Sequence, residues 1–322
     1  MRLARVLAGR LGVFLGSLLV ASLGVFLVIN LLPGDVAHVI LGSSATPESV
    51  ARLQAQMGLD RPVLLRYLAW LGGCLHGNLG ASAFTGAPVG GLIAQRLGVT
   101  FSLVAGGMVL AVAAALPAGI FAALRRRSRR GQLVLAASQI GMAVPVFLAG
   151  IALVMCFAVA LRWLPANGYV PLTEDPWGWA QRLVLPWIAL AFVQAAVLVR
   201  YVRGAFLDVL GEDYLRTARS IGWQARKALW RHGWRNAAIQ LVTVLGLQVG
   251  ALFAGAVVVE NVFVLPGVGS LLLRSVVTRD LPIVQAIVVV LVALVLAVNL
   301  VVDVAYVVID PRLRLGAEGV AE

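Results

Sequence analysis

Six apolar runs, each long enough to cross a lipid bilayer, alternate with short polar segments along this chain. Residues 11–32 carry no charge, and about 20 apolar residues suffice to span a bilayer core. Comparable runs occupy 99–124, 132–161, 183–202, 237–259 and 283–309. Pro117 within the second run predicts a kink, tolerable in a helix bundle where neighbours satisfy the freed carbonyl. Pro145 sits near the middle of the third. A cleaved signal peptide competes for the first run, but its apolar region is usually about 7–15 residues. A retained first helix is therefore expected.

The polar segments carry their own punctuation. Pro33-Gly34-Asp35 ends the first span. In the long segment 33–98, Thr46-Pro47-Glu48 reads as an N-cap with proline at the first helical position. Val50, Leu53 and Met57 then share a face, and Gly58 closes that helix. Asp60-Arg61-Pro62 repeats the start signal and leads to Leu64, Leu65, Leu68 and Leu71. Two short amphipathic helices at the outer membrane surface are expected, with Trp70 at an interfacial position. Residues 162–182 and 260–282 read as outer loops, and 310–322 as a tail. The expected organisation is thus 1–98 (first span and outer segment), 99–309 (five-span core with a cytoplasmic loop at 204–236) and 310–322.

The stretch from Asp213 to Asn236, DYLRTARSIGWQARKALWRHGWRN, stands apart. Leu207, Leu210, Tyr214, Leu215, Ala218 and Ile221 recur at helical spacing and form one apolar stripe. Arg216, Arg219, Arg226, Lys227, Arg231 and Arg235 populate the other faces. Gly222 interrupts the pattern as a turn between two short helices would. Two readings follow from pattern alone: a helix–turn–helix offered to a soluble partner, or a solvated basic loop that fixes topology.

Composition fixes the class. Of 322 residues, 61% are hydrophobic and 12% charged, against roughly 25% charged in soluble domains. This is an all-α polytopic membrane protein whose solvent is the lipid bilayer. The 34 glycines suit close helix packing in lipid. The net charge of +12 calls for no nucleic acid, because its distribution explains it. Of the 26 Lys and Arg, 18 fall at the termini, in the 125–130 run RRRSRR and in 200–235, all on one side of a six-span topology. By the positive-inside rule that side is the cytoplasm, and both termini lie there.

Several chemistries are absent. The one lysine, Lys227, is in Arg-Lys-Ala, which excludes a P-loop. No HExxH, GxSxG or dinucleotide fingerprint occurs. Cys74, Cys156, His38, His76 and His232 have no metal-ligand spacing. No catalytic residue and no metal site is expected. Ion-coupled transport usually needs carboxylates or histidines at midplane. Asp303 is the clearest carboxylate inside a span and reads as structural; Glu260 lies at an outer end. Asn30, Gln194, Gln248 and Asn299 have interhelical hydrogen bonding as their default role, with pathway lining as the alternative.

The 213–236 segment resembles the EAA loop of ABC-importer permeases, and more closely that of the dipeptide/oligopeptide/nickel permease family. The carrying residues are Tyr214-Leu-Arg-Thr-Ala-Arg219 and Gly222, then Arg231-His232 and Arg235-Asn236-Ala237, against a family pattern YxRTARAKG followed by RHxxRNA. Leu32-Pro33-Gly34-Asp35, Gly58-Leu-Asp-Arg-Pro62, Gly77-Asn-Leu-Gly80, Leu164-Pro165-Ala166-Asn167-Gly168-Tyr169, Val259-Glu260, Val262-Phe263, Pro266-Gly267-Val-Gly269, Asp303, Tyr306 and Asp310-Pro311-Arg312 agree in order. The departures are Arg216 where the general EAA pattern has Glu, Ile221 in place of a frequent lysine, and Gln240 in place of a frequent proline.

The resemblance implies the transmembrane domain of a type I ABC importer in the inner membrane of a prokaryote. It also implies a second homologous permease subunit, two ATP-binding subunits and an extracytoplasmic solute-binding protein. ATP and Mg would sit on the partner subunits, with no cofactor on this chain. Tyr214, Leu215, Ala218 and Ile221 would enter the ATPase groove, with Arg216 and Arg219 at its rim. Thr217, Arg231, His232, Arg235 and Asn236 complete the coupling motif. The family's cargoes include dipeptides, longer peptides, nickel chelates, glutathione and some sugars, of which peptide is the commonest.

Overall fold

The computed structural model describes residues 2–31, 41, 45–56 and 61–309. Their regular secondary structure is helical, apart from an isolated β-bridge between Ala81 and Pro88. The expected Pro33-Gly34-Asp35 stop, the helix end at Met57–Gly58, Asp60 and the tail from Asp310 lie outside the described residues. The helices are α1 (Arg2–Leu31), α2 (Pro47–Gln56), α3 (Val63–Leu75), α4 (Val89–Leu124), α5 (Arg129–Ala143), α6 (Val146–Leu153, continued as a π-helix over Val154–Ala160) and α7 (Pro176–Gly211). They continue with α8 (Asp213–Ser220), α9 (Ala225–Ala228, then a π-turn over Leu229–Gly233), α10 (Trp234–Val262), α11 (Val268–Thr278) and α12 (Leu281–Ile309).

Five helices have the length and apolarity to cross a membrane, through Ala8–Leu31, Val89–Leu124, Pro176–Gly211, Asn236–Val262 and Leu281–Val304. The third expected span corrects the sequence reading. It is two helices, α5 and α6, bent by 98° at a short break. Val144 is extended, with φ −82° and ψ 120°, because the ring of the following proline bars it from the helical region. Counted as one broken span, α5–α6 completes six.

Three further departures have local causes. The helix of the fourth span starts at Pro176, inside the expected outer loop. Asp175 caps it by accepting from the Trp177 N–H at 3.1 Å, with proline in the first turn. The last expected outer loop holds α11, stopped by a left-handed Arg279, φ 59°. The Leu64, Leu65 and Leu68 stripe of α3 is exposed on this chain; its buried residue is Tyr67. Tyr67 OH is 2.9 Å from Ser22 Oγ, and its ring meets Phe26 edge-on at 5.4 Å. Trp70 packs on both rings. The Thr46 cap holds as expected: Thr46 Oγ1 accepts from the Ser49 N–H, and Ser49 Oγ accepts from the Thr46 N–H.

The chain divides into two compact units: the described parts of Met1–Arg10, Thr100–Leu265 and Val298–Glu322, and those of Leu11–Val99 and Pro266–Ala297. In the first, Ala111, Ala115, Ala191, Leu198 and Val199 bring α4 and α7 together through small residues. In the second, Val89, Ile93, Val268, Leu271, Ile283, Ala286 and Ile287 form the core. There Asp280, almost fully buried, accepts from Ser82 Oγ at 2.5 Å and from the Ala83 N–H at 3.1 Å, fastening the turn after Gly77-Asn-Leu-Gly80.

Candidate functional site

The 213–236 segment grows out of the end of α7. Glu212 leaves the helix in an extended conformation, φ −66° and ψ 143°, so the chain turns and restarts as α8. After α8, Gly222 adopts φ +96°, a region that costs an L residue with a Cβ energy and costs glycine none. The Trp223 N–H donates to the Ala218 carbonyl at 3.1 Å. This is the six-to-one hydrogen bond of a Schellman ending, with glycine at the left-handed position. The turn between two short helices expected at Gly222 is therefore present.

The expected single stripe splits into two faces, which corrects the reading of Tyr214, Leu215, Ala218 and Ile221 as one outward surface. Leu215 is 1% exposed and Ala218 8% exposed. They pack with Ala228 and Leu229 against Val202, Phe206 and Val209 of α7 and Ala237 and Leu241 of α10. Tyr214 and Ile221 face outward, at 38% and 71% exposure. The physical reason is that α8 lies on the ends of α7 and α10 and must bury an apolar row there before it can present one elsewhere. Thr217, Ser220, Gln224, Lys227, Arg231 and Asn236 are also exposed. Arg216, Arg219, Arg226, His232 and Arg235 lie on these helices; their side chains are outside the described part.

Three contacts tie this segment together. Asn236 Nδ2 donates to the Tyr214 hydroxyl at 2.9 Å, across 22 residues of sequence. The Trp223 ring lies 5.7 Å from Lys227 Nζ and 5.8 Å from the Arg231 guanidinium carbon, at cation–π distance. Gly233 was invisible in the sequence because the family pattern leaves its place open. A Cβ there would lie 2.7 Å from Val209 Cγ1 and 2.9 Å from Leu229 Cδ1, so any larger residue must displace those side chains.

The scattered polar residues of the spans do not converge on this segment. Asp303 accepts from Arg10 at 2.7 Å. Glu260 is fully buried and accepts from Thr100 Oγ1 at 2.6 Å. Asn299 is half-buried. Gln248 and Gln194 both line a cavity of about 460 Å³ at the α5–α6 break.

The family model described as the binding-protein-dependent transport system inner membrane component matches residues 115–315, and its N-terminal counterpart matches residues 3–104. The chain belongs to this permease family. It is a multi-pass inner-membrane component of a binding-protein-dependent transport system. Among its relatives is a protein of Sinorhizobium fredii named as a peptide ABC transporter permease, 39% identical over 90% of this chain and 93% of that protein. Another, of Brucella abortus, is named as a peptide transport system permease and is 39% identical over 92% of this chain and 95% of its own. The glutathione transport system permease protein GsiC of Escherichia coli is 39% identical over 92% of this chain and 95% of its own. Among solved structures, the inward-facing MetNI methionine ABC transporter matches with a TM-score of 0.58 at 15% identity. That match covers 68% of this chain and 96% of the MetNI chain, and it makes the fold that of an ABC-importer permease.

Proposed function

We propose that this chain forms half of the translocation pathway of an ATP-driven peptide importer. The other half comes from a second, homologous permease. A solute-binding protein delivers peptides from outside, and two ATP-binding subunits drive transport from the cytoplasm. ATP and Mg sit on those subunits, and this chain performs no catalysis and holds no cofactor. The observation that carries the reading is full-length similarity, near 39%, to permeases named for peptides and for glutathione, itself a small peptide. None of those three is named for nickel, and nickel chelates are not favoured.

The cytoplasmic segment is the coupling element in this reading. Leu215 and Ala218 hold α8 onto the ends of α7 and α10, so a push on α8 moves the spans as one piece. Tyr214, Thr217 and Ile221 form the face toward the ATPase groove, with Arg216, Arg219, Arg231, His232, Arg235 and Asn236 completing the motif around it. This assigns the inner residues to transmission and the outer ones to docking.

The test is co-purification of the tagged chain from solubilised membranes, followed by uptake in proteoliposomes. A second permease and ATPase subunits in the eluate, with ATP-dependent peptide uptake, support the reading. A chain that purifies alone and moves solute down an ion gradient without ATP overturns it in favour of a secondary transporter.

A further inference from the structure

Three breaks in the apolar pattern meet at one depth in the first unit. Pro145 interrupts the α5–α6 span near its centre, Gln194 stands at the midpoint of α7, and Gln248 at the midpoint of α10. All three line the same cavity of about 460 Å³, with Met142, Val193 and Leu252 among its apolar walls. None of its lining side chains is ionisable.

One residue that lines this cavity has a buried polar atom short of a partner. Gln194 is 6% exposed, and its Nε2 is buried without a hydrogen-bond partner. Such a group is costly to leave unpaired, which makes its presence informative. The last carbonyls of α5 also lose the donors that a continuous helix supplies, because Val144 is extended and Pro145 has no N–H. Irregular backbone at membrane depth is tolerated where it is buried in protein or lines a water-filled cavity.

We propose that this cavity is a midplane subsite for the backbone of the transported peptide. A glutamine head group carries both an acceptor oxygen and a donor nitrogen. It can therefore pair at two points with a peptide group, which also has one donor and one acceptor. Gln194 and Gln248 supply these contacts, and the broken end of α5 supplies further acceptors. The neutral, apolar remainder leaves side-chain charge unread, so the subsite recognises what all peptides share. This inference rests on the peptide-importer reading above.

The test uses the complete transporter in proteoliposomes with ATP and binding protein, compared at equal subunit assembly. The probes are trialanine and an analogue in which an ester replaces its central peptide bond. Gln194→Leu and Gln248→Leu are each expected to lower trialanine uptake about five- to tenfold, roughly one hydrogen bond's worth. The ester analogue is expected to be slow already and to lose little more, as coupled changes do. Gln194→Glu is expected to slow Ala-Asp-Ala more than Ala-Lys-Ala, because the new carboxylate repels one and attracts the other. Unchanged trialanine uptake in both leucine variants overturns the subsite. So does an equal loss for peptide and ester, which marks a structural role. If Gln194→Leu does not assemble, Gln248→Leu, at a less buried position, decides alone. A wild-type complex that moves no peptide overturns the importer reading and this inference with it. Peptide uptake that is indifferent to both glutamines overturns the inference alone.

Discussion

Two helix breaks, at Gly222 and at Val144-Pro145, differ in means and in consequence. At Gly222 the chain turns outside the spans by entering the left-handed region, and nothing lies within 4 Å of where a Cβ would be. At Pro145 it turns inside a span by removing a donor, and the turn opens onto a cavity. Water satisfies the loose ends of the first break wherever it falls. Lipid does not satisfy those of the second, so that break must be buried in protein or line a water-filled cavity. The comparison teaches that a break in water is governed by local geometry and a break in the membrane by what surrounds it.

The largest effect is expected where the break and the cavity are inseparable. Pro145→Ala restores an N–H and releases Val144 to the helical region. Peptide uptake by the assembled transporter should fall more than about tenfold, a change of about 1.4 kcal/mol or more in the barrier. Co-purification of ATPase subunits should persist. A variant with unchanged uptake would mean that packing around α5 and α6 holds the bend, not the proline.

Next comes Gly233, where the 213–236 segment meets α7. Gly233→Val drives a branched side chain into Val209 and Leu229, and overpacking of this kind costs about 1–3 kcal/mol. The expected result is loss of co-purifying ATPase subunits, with the chain still inserted in the membrane. Full retention of the ATPase would break the claim that α8 transmits force through its buried row.

Gly222 should be milder, because its constraint is conformational only. Gly222→Val costs about 1–2 kcal/mol in left-handed strain, whereas Gly222→Asn, whose side chain tolerates that region, should stay close to the parent. ATPase activity stimulated by loaded binding protein, measured for both, distinguishes the two cases. Equal damage from valine and asparagine would show that the position needs empty space and not merely a left-handed turn.

The sequence made these two breaks unequally legible. The Gly222 turn was readable because the charged residues, the apolar row and the turn glycine all differ in chemistry from their neighbours. The Thr46 cap was readable for the same reason. Within the spans most residues are apolar because of lipid, so periodicity no longer says which face is buried. Pro117 and Pro145 look alike in sequence; α4 continues through the first, while the chain bends by 98° at the second. The split of Leu215 and Ala218 from Tyr214 and Ile221 was hidden because an apolar stripe does not say whether its partner lies in the same chain. Gly233 was hidden because a close approach leaves no mark until the approaching side chains are placed.

The smallest effect is expected where two helices meet without any break. Arg10 of α1 and Asp303 of α12 lie 2.7 Å apart, with their side chains 48% and 35% exposed. An ion pair this open is worth about 0–1 kcal/mol, so neither partner's removal should unfold the chain. The two removals are nevertheless unequal. Asp303→Asn leaves an arginine on the side of the membrane where arginines are at home. Arg10→Gln leaves a carboxylate within an apolar span, where an unpaired charge is disfavoured. Thermal denaturation of the purified chain should therefore rank Arg10→Gln below Asp303→Asn, with both close to the parent. The double exchange Arg10→Asp with Asp303→Arg should recover part of the loss. A reversed ranking would mean that Asp303 is already served by water at the end of the span, and that the pair is a consequence of α1 and α12 meeting there, not a cause.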